Sequence, residues 1–439
     1  NTTPRLSRRP FATAGGVAAV AFAASSGARV QGANERIRLG FLGAGNRGCQ
    51  LIRSFQKHDD ALAVAVCDVH EPARESGRQT AGGQVATYRD FRQVLERPDI
   101  DAVVISTPDH WHAIMMIQAC RAGMDVFVEK PLSATIYEGR KMVQAARRYD
   151  RVVQVGTHRR SSQMYADVAE RIRRGDIGKV TISRAFHLSN MYPLGIGKSP
   201  TTPPPKDLDW DLWLGPRPMQ DYQDNITPYK FRWWHLFSSQ MANFGVHRLD
   251  VIRWLTGELA PSSVCAMGGR FAVDDDRTIP DTLQTTFEFA SGRLAVFGQY
   301  EASQNLALPI SRDLARAQVE FRGTQGTLYI GDRGYEILPE RGGQFQEPGD
   351  RMESERQQTT DGNLTDQHTR NFLDCVKSRE RPTADVEIGH RSTTFSLLAN
   401  ISLQTRLRIE WDAQQERILN SPEFNDLLHY EYRKPWTLE

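Results

Sequence analysis

Four stretches of this 439-residue chain combine residue types with a spacing that chemistry can use. In Gly43-Ala44-Gly45-Asn46-Arg47-Gly48, glycines let a strand turn tightly into a helix and let backbone approach a pyrophosphate. The free N–H groups and positive dipole end of that helix then face the phosphates. Asp68 comes 25 residues after Gly43, at the end of the next apolar run. A carboxylate at about that distance hydrogen-bonds ribose hydroxyls and repels a 2′-phosphate, which favours NAD over NADP. Thr107-Pro108-Asp109-His110-Trp111-His112 and Glu129-Lys130-Pro131 each follow a further apolar run. Carboxyl ends of strands in an open parallel sheet are where ligands bind, so a lysine between a carboxylate and a proline there is no ordinary surface lysine. Asn243-Phe244-Gly245-Val246-His247-Arg248-Leu249-Asp250 is the fourth stretch. His110-x-His112 has no Cys or carboxylate cluster to complete a metal site, and none is expected.

The elements that must position these residues fall into two patterns. Ile37–Gly43, Leu62–Asp68, Ala102–Ser106, Asp125–Glu129 and Val152–Val155 read as buried strands separated by helical segments. Val- and Ile-rich strands alternating with helices predict a parallel sheet covered on both faces, an α/β dinucleotide-binding (Rossmann) domain over residues 34–155. Residues 156–385 predict an α+β domain with a large, mostly antiparallel open sheet. Its strands include Val264–Phe271, Leu283–Phe289, Leu294–Tyr300, Gln318–Arg322 and Thr327–Ile330, with a hairpin at Ser291-Gly292. Residues 190–235 form a Pro/Trp-rich loop, residues 340–363 a polar exposed loop, and residues 386–439 a C-terminal helix and a tail that packs back on the body. Long Trp-bearing loops more often bind something than merely connect.

Together these motifs resemble the Gfo/Idh/MocA family of sugar and inositol oxidoreductases. The resemblance rests on Gly43-x-Gly45-x-x-Gly48, Asp68, Thr107-Pro108-x-x-x-His112, Glu129-Lys130-Pro131, Gly156 and the Asn243–Asp250 block. It implies a nicotinamide cofactor held by Gly43, Gly45, Asn46, Arg47, Gly48, Asp68, Thr107, Pro108, His112, Glu129 and Lys130. It also implies that Lys130 contacts the reacting hydroxyl and that His247 accepts or supplies the proton. A secondary alcohol loses hydride only as its O–H proton leaves, so a base and a positive donor suit that reaction. The family usually has an aspartate where this chain has Asn243, four residues before His247, so Asn243 joins the catalytic candidates. His158, Arg159, Trp234, His235 and Asp250 are candidate substrate contacts.

A net charge of +2 gives no field for nucleic acid or an anionic membrane. No apolar run reaches the ~20 residues of a membrane span. The opening Ser7-Arg8-Arg9-Pro10-Phe11, followed by small apolar residues to Ala33, reads as a twin-arginine-type export signal, hence a periplasmic protein. The five cysteines form no CxxC pair. Away from the cytoplasmic NAD pool, a tightly held cofactor is expected. The leading reading is an NAD-dependent oxidoreductase acting on a secondary hydroxyl of a sugar, glycoside or inositol. The alternatives are an NAD-retaining glycosidase working by transient oxidation and elimination, and a non-catalytic sugar-binding protein. An open antiparallel sheet needs a cover, which predicts a homo-oligomer, dimer or tetramer.

Overall fold

The computed structural model describes residues 36–305 and 318–438. The expected export signal lies outside the described residues. In the first domain, β1 (Ile37–Leu42), α1 (Asn46–Phe55), β2 (Ala61–Cys67), α2 (Glu71–Thr80) and β3 (Ala86–Tyr88) lead into α3 (Phe91–Leu95) and β4 (Ala102–Ile105). They are followed by α4 (His112–Arg121), β5 (Asp125–Val128), α5 (Ile136–Arg148) and β6 (Val153–Val155). The six strands pair in parallel in the order β3-β2-β1-β4-β5-β6. The order reverses between β1 and β4, and in open α/β sheets ligands bind in the crevice at that switch point. β4 and β5 are buried along their whole length, as strands covered on both faces must be.

The second domain contains α6 (Gln163–Arg174), β7 (Ile182–Asn190), α7 (Trp210–Leu214), α8 (Val246–Thr256), β8 (Ser263–Gly269), β9 (Thr282–Phe289) and β10 (Arg293–Tyr300). It continues through β11 (Ala302–Ser303), β12 (Val319–Arg322), β13 (Gly326–Gly331), β14 (Gly334–Pro339), β15 (Glu355–Gln358), α9 (Leu364–Ser378), α10 (Val386–Thr405), β16 (Ile409–Asp412) and β17 (Arg417–Ile418). The sheet runs β15-β14-β13-β12-β7-β10-β9-β8-β16-β17, with β11 paired to β7, and is antiparallel except where β10 meets β7. Helices α6, α8 and α10 pack Ile172, Leu249 and Phe395 onto one face, with Phe287 and Phe297 of the sheet. Among the described residues no helix is long and apolar enough to cross a membrane.

Several elements depart from the expected pattern. β7, a central strand, does not stand out in the sequence because Arg184 and His187 interrupt its apolar alternation; Arg184 instead pairs with Glu320 across the sheet. Part of the expected 340–363 loop is the edge strand β15, whose side chains are mostly polar and exposed. α9 lies within the span assigned to the second domain, yet its Phe372 packs edge-on against Phe55 and Phe127 of the first. In the tail, Trp436 stands edge-on to Trp111 at 4.7 Å between ring centroids. The 190–235 segment builds a small core from Trp210, Trp213, Phe231, Trp233 and Trp234, joined by Phe237 just beyond it. It is anchored to the first domain because the Trp213 carbonyl faces His110 Nε2 at 2.9 Å and accepts from Trp111 Nε1 at 3.0 Å.

Candidate active site

A cleft with a cavity volume of about 430 Å³ opens at the switch point. Gly43, Gly45, Asn46, Arg47, Asp68, Thr107, Pro108, Glu129, Lys130, His158, Asn243 and His247 all line it. The glycine turn fits a dinucleotide. Gly43 has φ +89°, and a Cβ there would lie 2.8 Å from the Ser106 backbone. A Cβ on Gly45, in contrast, would meet nothing within 4 Å. Gly45 is also the residue at the start of α1 and offers no side chain to cap the first-turn amides. The space and the donors both suit a pyrophosphate. A Gly45→Leu protein is therefore expected to keep the wild-type fold by circular dichroism while losing NAD binding in calorimetry. Asp68 accepts from Ala44 N at 2.8 Å and His70 N at 2.9 Å, and burial raises its carboxyl against those bonds.

Glu129 accepts from Arg47 Nε at 2.6 Å. Burial works to raise its carboxyl, but Arg47 and Lys130 outweigh it and hold it low. Gly156 makes room for it, since a Cβ there would sit 2.8 Å from Glu129 Oε2. Lys130 reaches across to the second domain, where Nζ donates to both the backbone oxygen and Oδ1 of Asn243, each at 2.8 Å. Those two acceptors converge because Met241–Gly245 is a π-helical turn running into α8. Burial, opposed by Glu129, pulls the Lys130 ammonium down to about 8. Asn243 thus holds the lysine and makes no hydrogen bond to His247. Its orientation is set from behind: Nδ2 donates to Gln240 Oε1 at 3.3 Å, and Gln240 Nε2 donates to Glu301 Oε1 at 2.8 Å. Glu301 in turn accepts from Trp233 Nε1 and from the fully buried Arg277.

His247 stands 5.4 Å from the His158 ring, edge to face. Burial, reinforced by Lys130, Arg159, His158 and Arg248, depresses the His247 imidazolium well below its ordinary range. Burial and Arg159 likewise take His158 down to about 3. Both rings are neutral at ordinary pH.

Six of the candidate residues do not line this cleft. A Cβ on Gly48 would fall 2.1 Å from the Gly43 carbonyl oxygen, so this glycine packs helix against turn. His112 is buried with Nδ1 2.8 Å from the Pro131 carbonyl and Nε2 3.0 Å from that of Thr107, bracing the two loops that carry the site. Trp234 is buried in the arm and donates to Asn225 O. His235 is exposed and borders a separate depression with Thr278 and Gln299. Asp250 is 1% exposed and receives Arg160 and Ser392 Oγ, so it fastens α8 to its neighbours and cannot reach a substrate. Arg159 pairs with Asp332 behind His158. Arg232, conversely, was not singled out in the sequence, yet it enters the cleft from the arm, with its guanidinium against the faces of Tyr229 and Phe231. Its only local signal is a basic residue inside an aromatic run, Phe231-Arg232-Trp233-Trp234.

Residues 37–157 match the model of an oxidoreductase family with an NAD-binding Rossmann fold, and residues 217–329 and 351–438 match the two C-terminal domain models that accompany it. The chain belongs to the Gfo/Idh/MocA family. Its first domain is the family's NAD-binding Rossmann domain. Over 376 residues it is 25% identical to a scyllo-inositol 2-dehydrogenase (NAD(+)) of Bacillus subtilis, covering 82% of this chain and 94% of the relative. A myo-inositol 2-dehydrogenase of Thermotoga maritima is 28% identical over 148 residues, 34% of this chain. A glycosyl hydrolase family 109 protein of Shewanella is 30% identical over 165 residues, 36% of this chain. The chain spans only 44% and 36% of those last two relatives. Among solved structures, a levoglucosan dehydrogenase in complex with NADH and levoglucosan superposes with a TM-score of 0.63 at 17% identity. That match covers 86% of this chain and 99% of the other, and it shows that the Gfo/Idh/MocA fold is shared.

Proposed function

We propose that this protein is an NAD-dependent oxidoreductase acting on a secondary hydroxyl of a sugar, glycoside or inositol. The observation that carries the reading is Lys130 held by two Asn243 oxygens at the mouth of the dinucleotide cleft, beside His247. Bound NAD supplies the hydride acceptor. In the neutral amine, two N–H bonds are occupied by Asn243, so the lone pair is left to accept the hydroxyl proton. With a value near 8, Lys130 is closer to working pH than His247, and a base near working pH is the more effective one. His247, kept neutral, can hold the substrate oxygen by a ring N–H. This reverses the division of labour that the family resemblance implies, in which the histidine moves the proton.

The inositol dehydrogenases among the relatives support the substrate class. The family 109 relatives support a second reading, a glycosidase that retains its NAD. A panel of sugars, inositols and aryl glycosides separates the two. Net formation of reduced nicotinamide is expected; aglycone release without it would select the glycosidase, and neither signal would leave a sugar-binding protein. Export to the periplasm, drawn from Arg8-Arg9, and tight cofactor retention belong to the same proposal. Cell fractionation and mass spectrometry of the denatured protein test them. Assembly into a dimer or tetramer through the open face of the large sheet belongs to the proposal as well, and is tested by light scattering.

A further inference from the structure

Three arginines line the cleft that holds Lys130. Glu129 takes Arg47, and Arg89 stands 3.9 Å from Asp209, but Arg232 has no carboxylate within hydrogen-bond reach among the described residues. The carboxylates of the cleft are engaged elsewhere: Asp90 by Arg92, Asp109 by Ser238 Oγ, and Asp68 by the amides of Ala44 and His70. The Arg232 guanidinium is nevertheless fixed in place. It lies 4.3 and 4.4 Å from the Tyr229 and Phe231 ring centres, and Nη1 donates to Tyr229 O at 2.9 Å. Nε and Nη2 make no hydrogen bond among the described residues, and both stay open to solvent. Arg232 also sits at the reacting end of the cleft, where Asp109 and Glu129 are the carboxylates that act on it and it acts in turn on Lys130. Arg232 and Lys130 thus line one space of about 430 Å³. The free edge, Nε with Nη2, presents two parallel N–H bonds that match the two oxygens of a carboxylate. Elsewhere in this chain the same edge of Arg159 grips Asp332 at 2.7 and 2.8 Å, and that of Arg184 grips Glu320 at 2.8 Å twice.

We propose that Arg232 determines specificity, and that the substrate carries a carboxylate gripped by Arg232 Nε and Nη2 while its reacting hydroxyl meets Lys130. This rests on the oxidoreductase reading above and narrows its substrate from sugars and polyols in general to sugar acids. A pair of hydroxyls would satisfy the two N–H bonds but bring no counter-ion. Burial depresses the Arg232 guanidinium, opposed by Asp109, so a ligand charge placed there is felt more strongly than in open water.

The NAD-loaded protein is assayed for reduced nicotinamide with several hexoses, their uronates and their sulfate esters. At least one uronate is expected to exceed its hexose by about 10–100-fold in kcat/KM, the ordinary worth of charged hydrogen bonds, with most of the gap in KM. Arg232→Gln is expected to close that gap while binding NAD as the wild type does in calorimetry. Arg232→Lys keeps the charge but not the fork, so it is expected to retain part of the gap; it decides the matter if circular dichroism shows the Gln protein unfolded. Equal rates on hexose and uronate, a gap that survives Arg232→Gln, or a sulfate ester preferred to the uronate would overturn the inference and leave the oxidoreductase reading standing. So would loss of NAD affinity in Arg232→Gln, which would give the guanidinium to the cofactor's phosphates. If nothing in the panel is oxidised, that reading fails, and calorimetry of the uronates against NAD-loaded protein decides the carboxylate site separately. Saturable binding lost in Arg232→Gln supports it, and absence of binding overturns it.

Discussion

Oxidation by this protein is expected to speed up as pH rises and to level off above about 8, with no second limb from His247. The sign follows from Lys130: below its value near 8 it is an ammonium with no lone pair to take a proton, and above it the amine is free to do so. Lys130→Met is expected to lower kcat by about 10²–10⁴-fold, the usual worth of a positioned base. Asn243→Asp tests the same group from the other side. A carboxylate 2.8 Å from Nζ favours the ammonium, so the rising limb is expected to move up by about one to three pH units. A profile of kcat/KM against pH for the three proteins checks all of this. A bell centred on histidine values would instead return the proton to His247.

The second large effect is expected in stability. Arg277 is fully buried, with Nε 2.9 Å from Asp275 Oδ1 and Nη1 2.5 Å from Glu301 Oε2. Both carboxylates are fully buried as well. Arg277→Met would leave two buried anions without a cation, at a cost of about 3–5 kcal/mol, read as a lower urea midpoint at unchanged m. The same change removes the one charged donor to Glu301, leaving Trp233 and Gln240, and so loosens the chain through Gln240 to Asn243, the acceptor that aims Lys130. Activity should therefore fall in the molecules that remain folded, with kcat affected more than KM.

Much of the first domain is legible locally. A glycine turn, an acidic strand end and a lysine after a strand each depend on neighbours within a few residues, and Gly43, Asp68 and Lys130 all face one cleft. The partners of side chains from distant elements are not legible in this way. Asp250 sits one helical turn past His247 and reads as a second site residue, but Arg160, ninety positions earlier in the chain, occupies it. Trp234 and His235 point away because the arm folds on its own aromatic core, a path set by long-range packing rather than by any local pattern. Arg232 is carried into the cleft by the same packing, which no local pattern marks. The role of Asn243 could be placed on the right turn of the right helix, but only the widened turn shows that both of its oxygens serve Lys130.

Phe372 and Trp436, which complete the two flanks of the parallel sheet, are translated some two hundred residues or more after the last strand of that sheet. The nucleotide-binding half is thus begun early in the chain and completed late: Phe55, Phe127 and Trp111 are covered by rings that lie more than two hundred positions beyond its last strand. A first domain cut out after β6 would therefore expose these rings to water, and is expected to be less stable than the same domain in the longer chain.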